Sequence, residues 1–164
     1  MKRNEILLIF LLMIVGAGLR FDYLFASDFV IDSDEAIVGL MAKHINEGHR
    51  LPVFYYGQHY MGSLEAILAS VSFYFFGVSN LALKLVPLLF ALALIPGMYV
   101  LGAMLGGVRA GRIAALLTAV PPSTMVLWST KARGGFAEIL FIGLIALIIA
   151  LKNLSKERPS LAST

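Results

Sequence analysis

Six of the ten acidic residues of this 164-residue chain, and all three histidines, fall between Asp28 and Glu65. Asp28, Asp32, Asp34 and Glu35 lie within eight positions, and Glu47, Glu65, His44, His49 and His59 follow. Carboxylates gathered this densely do one of two jobs. They cap and charge-match the start of a helix, or, in a low-dielectric cleft that raises their pKa, they take a proton as a general base. Capping needs fewer acids than this stretch supplies, so Asp34 and Glu35 are the catalytic candidates. Behind them, Tyr55, Tyr56, Gln58, His59, Tyr60 and Glu65 set hydrogen-bonding groups on an aromatic platform. Such residues hold a sugar, and they also anchor proteins at a membrane interface. Tyr56, Gln58, His59, Tyr60 and Glu65 are accordingly candidate substrate contacts. Lys131 and Arg133 precede paired glycines whose backbone can approach an anion. Glu138 sits inside an apolar run, where an ionisable residue is a functional candidate by default. His44, His49, Asp32 and Asp34 offer a divalent metal as an alternative, but their spacing matches no metal motif, and no cofactor is assigned.

The elements that must position these residues are apolar. Hydrophobic residues make up 59% of the chain and charged ones 14%, with a mean hydropathy of +0.86. A soluble domain of this size has too little interior to hide so much apolar surface, so the surplus faces lipid. The composition predicts an all-α integral membrane protein. A net charge of +3 reports topology rather than nucleic-acid binding, and the absence of cysteine excludes disulfides and thiolate metal sites.

Four transmembrane helices are expected, at about 6–25, 80–106, 110–128 and 135–152. The first follows Lys2 and Arg3 and reads as a retained signal-anchor. Pro87 and Pro96 are tolerated within the second, and Pro121-Pro122 should kink or end the third near Trp128. The first outer loop carries two juxtamembrane helices, at about 34–47 and 62–76. Asp32 and Glu35 are spaced as a capping box for the former, and Gly48 stops it. Ile37, Val38, Leu40, Met41 and Ile45 give that helix an apolar side for the membrane surface, opposite Lys43, Asn46 and Glu47. If 62–76 does not cross, the cytoplasmic flanks collect Lys2, Arg3, Arg109, Arg112, Lys152, Lys156 and Arg158. Positive flanks favour the cytoplasm, so both termini are expected there. A membrane module then covers 1–151 and a polar cytoplasmic tail 152–164, where the sequon at Asn153 has no meaning.

The order of these features resembles a known group. A signal-anchor precedes the Asp34-Glu35 pair; then come Pro52-x-x-Tyr55-Tyr56-Gly57-Gln58, Phe75-Phe76-Gly77-Val78-Ser79, and Ala82-Leu83-Lys84-Leu85-Val86-Pro87. From Ile6 to Leu151 this is similar to the N-terminal part of bacterial relatives of protein O-mannosyltransferases. That group is glycosyltransferase family 39, with Rgt-type and aminoarabinose-transferase relatives, of the multi-span GT-C fold. The resemblance implies that Asp34 is a base for an acceptor hydroxyl (on a glycan, lipid or protein). The donor would be a polyprenyl-phosphate-linked sugar in a bacterial or archaeal cytoplasmic membrane, with Lys131 and Arg133 near its phosphate. Where relatives carry Lys-Pro-Pro, Gly57-Gln58-His59 stands here, and Glu138 is the nearest counterpart of a second loop acid. Members of the group are longer, so a fragment of a longer enzyme, or a chain completed by a partner, is expected. The rival readings are a non-enzymatic membrane subunit and a small transporter using Glu65 and Glu138. The clustering of acids in one loop and the lack of an internal repeat count against the transporter.

Overall fold

A computed structural model describes residues 3–157, so Lys2 and Arg158, two of the flanking charges, lie outside the described residues, as does most of the polar tail. Helix α1 spans Arg3–Ala26, α2 Ser33–Asn46, α3 Leu64–Phe76, α4 Asn80–Ala119, α5 Ser123–Trp128 and α6 Phe136–Glu157. No strand forms among the described residues; the loop between α2 and α3 is pinned by one bridge, Phe54 to Gly62. The chain is all-α, and α1, α4 and the Phe136–Leu154 part of α6 are long and apolar enough to cross a membrane. α6 continues past Leu151, where the tail was expected to begin.

α4 contains 40 residues, roughly 60 Å if straight, about twice the hydrocarbon thickness of a bilayer. It is not straight. Gly106 and Gly107 leave helical geometry (Gly107 at φ 76°), and the two arms on either side fold against each other. Small residues make this fit: a Cβ added at Gly102 would lie 2.9 Å from the Ala110 carbonyl oxygen, and one at Gly111 would lie 2.7 Å from that of Tyr99. The second arm ends at Ala119, and Pro121 and Pro122, expected to kink or end the helix over 110–128, separate it from α5.

α1 packs along α4, with Ile9 and Leu12 against Ile95, Tyr99, Ala115 and Ala119. Its other face, including Ile6, Leu7, Phe10, Leu11 and Ile14, is exposed and suited to lipid. α2 departs from the expectation of a helix resting on the membrane. Val38, Met41 and Ala42 are buried with Ala66, Ala69 and Phe73 of α3 and Leu83 and Val86 of α4. Asn46, expected on the solvent side, donates to the Ser70 carbonyl at 3.0 Å. The apolar stripe was legible; its partner is protein. α3 has 13 residues, too few to cross, and ends in the exposed Tyr74, Phe75 and Phe76.

Candidate active site

The first turn of α2 is built from its own acids. Asp32 is the N-cap: its Oδ1 accepts from the Asp34 and Glu35 amides at 3.1 and 3.2 Å, and its own amide donates to Glu35 Oε2 at 3.2 Å. The capping box read from the sequence is present. It also fixes which of the two neighbouring acids turns inward, because a helix sends consecutive side chains about 100° apart.

Glu35 turns inward and is fully buried. Its Oε1 lies 2.7 Å from Lys84 Nζ and accepts from the Ala132 amide at 3.2 Å, while Oε2 lies 3.4 Å from Lys131 Nζ. Lys84 is buried as well. A paired, hydrogen-bonded carboxylate of this kind is a fastener: it ties α2 to α4 and to the 130–135 segment. It has no free face for a substrate.

Asp34 points outward, with half of its side chain exposed and Arg133 Nε 3.8 Å away. Its backbone carbonyl accepts from the Tyr55 hydroxyl at 2.8 Å. Burial, followed by the charges of Asp34, Glu65 and Asp32, pushes that hydroxyl up to about 12, so it remains a donor. Asp34, Tyr55, Gln58, Tyr60, Met61, Trp128, Arg133 and Phe136 line a cavity of about 200 Å³. The buried Gln58 Oε1 has no hydrogen-bond partner among the described residues, which leaves an acceptor unused in the wall.

Asp32 ties the far side of this cavity in place. Its Oδ2 lies 2.6 Å from both Lys131 Nζ and Arg133 Nη2. Partial burial works to raise the Asp32 carboxyl, but Arg133 and Lys131 together hold it well below the usual carboxylate range. Lys131 is shifted up: burial opposes its charge, and Asp32 and Glu35 outweigh it. The Arg133 guanidinium stacks over Trp128 at 5.3 Å. Trp128 and Phe136 also form a wall of a second, apolar groove of about 480 Å³, lined further by Leu94, Met125, Leu140 and Arg20. Arg20 is buried there, donating to the Gly16 carbonyl at 2.9 Å and the Ser129 hydroxyl at 3.0 Å. A polar cavity with a half-exposed carboxylate and a cation thus shares its wall with a greasy groove.

The sequence candidates divide accordingly. Asp34, Gln58, Tyr60 and Arg133 meet at the cavity, whereas Glu35 and Lys131 stand behind it as ties. Tyr56 turns away to His44, its hydroxyl 3.2 Å from Nδ1, and the His59 ring lies against Phe54. Glu65 and Glu138 are buried beneath the 134–135 turn and line neither space. The metal alternative does not assemble: His44 and His49 stack on each other, and Asp32 is occupied by its cations. Among the described residues, no three of His, Cys, Asp and Glu converge as a metal centre would require. Sequence reasoning missed Arg20 and Trp128. Arg20 carried a readable signal, a lone cation in an apolar helix.

No family model matches the chain, and neither a curated protein nor a solved structure matches it.

Proposed function

We propose that the chain is a GT-C-type glycosyltransferase module that moves a sugar from a polyprenyl-phosphate donor to an acceptor hydroxyl on the outer membrane face. The observation that carries this reading is the shared wall. Asp34 and Arg133 face a polar cavity, and Trp128 and Phe136 separate it from an apolar groove beside the buried Arg20. An isoprenoid tail suits the groove, and a sugar suits the cavity with its unused Gln58 acceptor. Asp34 takes the proton of the acceptor hydroxyl as its oxygen bonds to the anomeric carbon, with inversion. The bond from that carbon to the phosphate oxygen breaks, and the polyprenyl phosphate leaves with the electron pair. Arg133, and Arg20 from the groove side, offset the charge that develops on it.

In the membrane arrangement proposed with this function, the first arm of α4 makes one span and its second arm, continued by α5 to Trp128, makes another, giving four spans. Both termini are cytoplasmic, and the 27–79 and 129–135 segments lie outside. In support, Arg3, Arg109, Arg112 and Lys152 then flank the cytoplasmic side. In full-length context, Asp34→Asn is expected to lower transfer from a radiolabelled polyprenyl-phosphate sugar by about 10²–10⁴-fold, the usual contribution of a general base. Transfer at the parent rate would remove Asp34 from the mechanism.

A further inference from the structure

Around the cavity, five carboxyl groups (Asp32, Asp34, Glu35, Glu65 and Glu138) meet three cations, Lys84, Lys131 and Arg133. The cations are taken by Asp32, Asp34 and Glu35. The two acids left over are Glu65 and Glu138, and both are almost wholly buried. Beyond its own backbone amide, Glu138 has no hydrogen-bond partner among the described residues, and Glu65 Oε1 has none. Glu65 Oε2 accepts from the amides of Gly134 and, at 2.7 Å, Gly135. Both glycines hold positive φ (85° and 103°), and a Cβ at Gly134 would collide with Met61. The turn is therefore shaped to bring these amides onto Glu65, and Glu138 begins the helix that leaves it.

A buried carboxylate with no cation is too costly to persist, so this site must acquire positive charge from outside the chain. Neither cavity beside it is lined by Glu65 or Glu138, and a magnesium-like cation would have to bring several waters to this buried pair. A proton needs no room.

We propose that Glu65 and Glu138 form a proton-binding pair that latches the 130–135 segment over the Asp34 cavity. With the pair protonated, the Gly134–Gly135 turn stays seated and Arg133 stays over Trp128. With both carboxyls charged, mutual repulsion in a dry site unseats the turn and carries Arg133 with it. Burial, and then the neighbouring Glu138, push the Glu65 carboxyl up to about 8, against the pull of the Gly134 and Gly135 amides. The other charged or titratable groups facing it are Glu35 from α2, already matched by Lys84 of α4 and Lys131, together with Tyr55 from the loop and Arg133 beside the turn. His44, His49 and His59 make their ring contacts elsewhere. This inference does not depend on the proposed reaction.

Trp128 is the single tryptophan and lies under Arg133, so its fluorescence reports on the latch directly. The 164-residue chain in lipid nanodiscs, titrated from pH 5.5 to 9.5 with EDTA present, should show one reversible transition with a midpoint near 8. Glu138→Gln should move that midpoint down by a unit or more, and Glu65→Gln should abolish it. No transition in the parent protein, or an unchanged one in both variants, would overturn the proposal. So would a transition that magnesium, calcium or manganese shifts saturably in the parent but not in Glu138→Gln, since the pair would then hold a metal cation.

Discussion

The two ends of the helical bundle treat their acids differently. Where α1 begins, Glu5 accepts hydrogen bonds from Tyr99 at 3.0 Å and from the Arg112 guanidinium, which joins α1 to both arms of α4. There an acid meets a cation and a hydroxyl, and the arrangement closes on itself. At the opposite end, five carboxyls face three cations. Glu35 is matched as completely as Glu5, but Asp34 keeps half its surface open and Glu138 has no partner among the described residues beyond its own backbone amide. An ionic cluster that serves only stability has no reason to leave such a remainder. The remainder lies at the end to which the proposed chemistry is assigned, and there two adjacent residues, Asp34 and Glu35, divide into a half-exposed group and a buried one.

That contrast can be broken at its strongest point. Glu35→Gln leaves Lys84 buried without a counter-charge, and a loss of about 3–5 kcal/mol is expected, read as a fall in the melting temperature in detergent. Adding Lys84→Met should recover much of it. Asp34→Asn, one position away, should barely move the melting temperature. At the closed end, Glu5→Gln should lower stability by less than Glu35→Gln, because Arg112 is half exposed and water can take over its charge. It should leave any activity of the other end intact. The smallest effect concerns acid. Arg133 and Lys131 depress the Asp32 carboxyl, so the folded protein keeps that charge where the unfolded chain takes up a proton. The stabilisation is whole above about pH 4 and is lost as the pH falls further. Melting curves from pH 6 to 3 should show this extra acid sensitivity in the parent protein and less of it in Asp32→Asn.

Much of the bundle was legible because the relevant rules are local. The capping box at Asp32 and Glu35 needs only a three-residue spacing, and Gly106-Gly107 announces a bend. Charge counting put Lys131 and Arg133 on the side of the acidic loop. Roles that depend on distant partners were not legible. Nothing near Glu35 reveals that Lys84, 49 positions away, would bury it, so it read as an equal of Asp34. The apolar stripe of α2 looked the same whether lipid or α3 was to cover it. Glu65 and Glu138 were joined only in the transporter reading, and nothing in their spacing showed that the 134–135 turn brings them to one place.

The division between Asp34 and Glu35 is open to a test that needs no knowledge of the substrate. Carbodiimide-activated coupling of glycine ethyl ester to the folded protein, located by peptide mass spectrometry, reads the exposure of each carboxyl separately. The expected result is rapid modification of Asp34 with Glu35 untouched until the protein unfolds. Modification of Glu35 in the folded state, or protection of Asp34, would contradict the account at its centre.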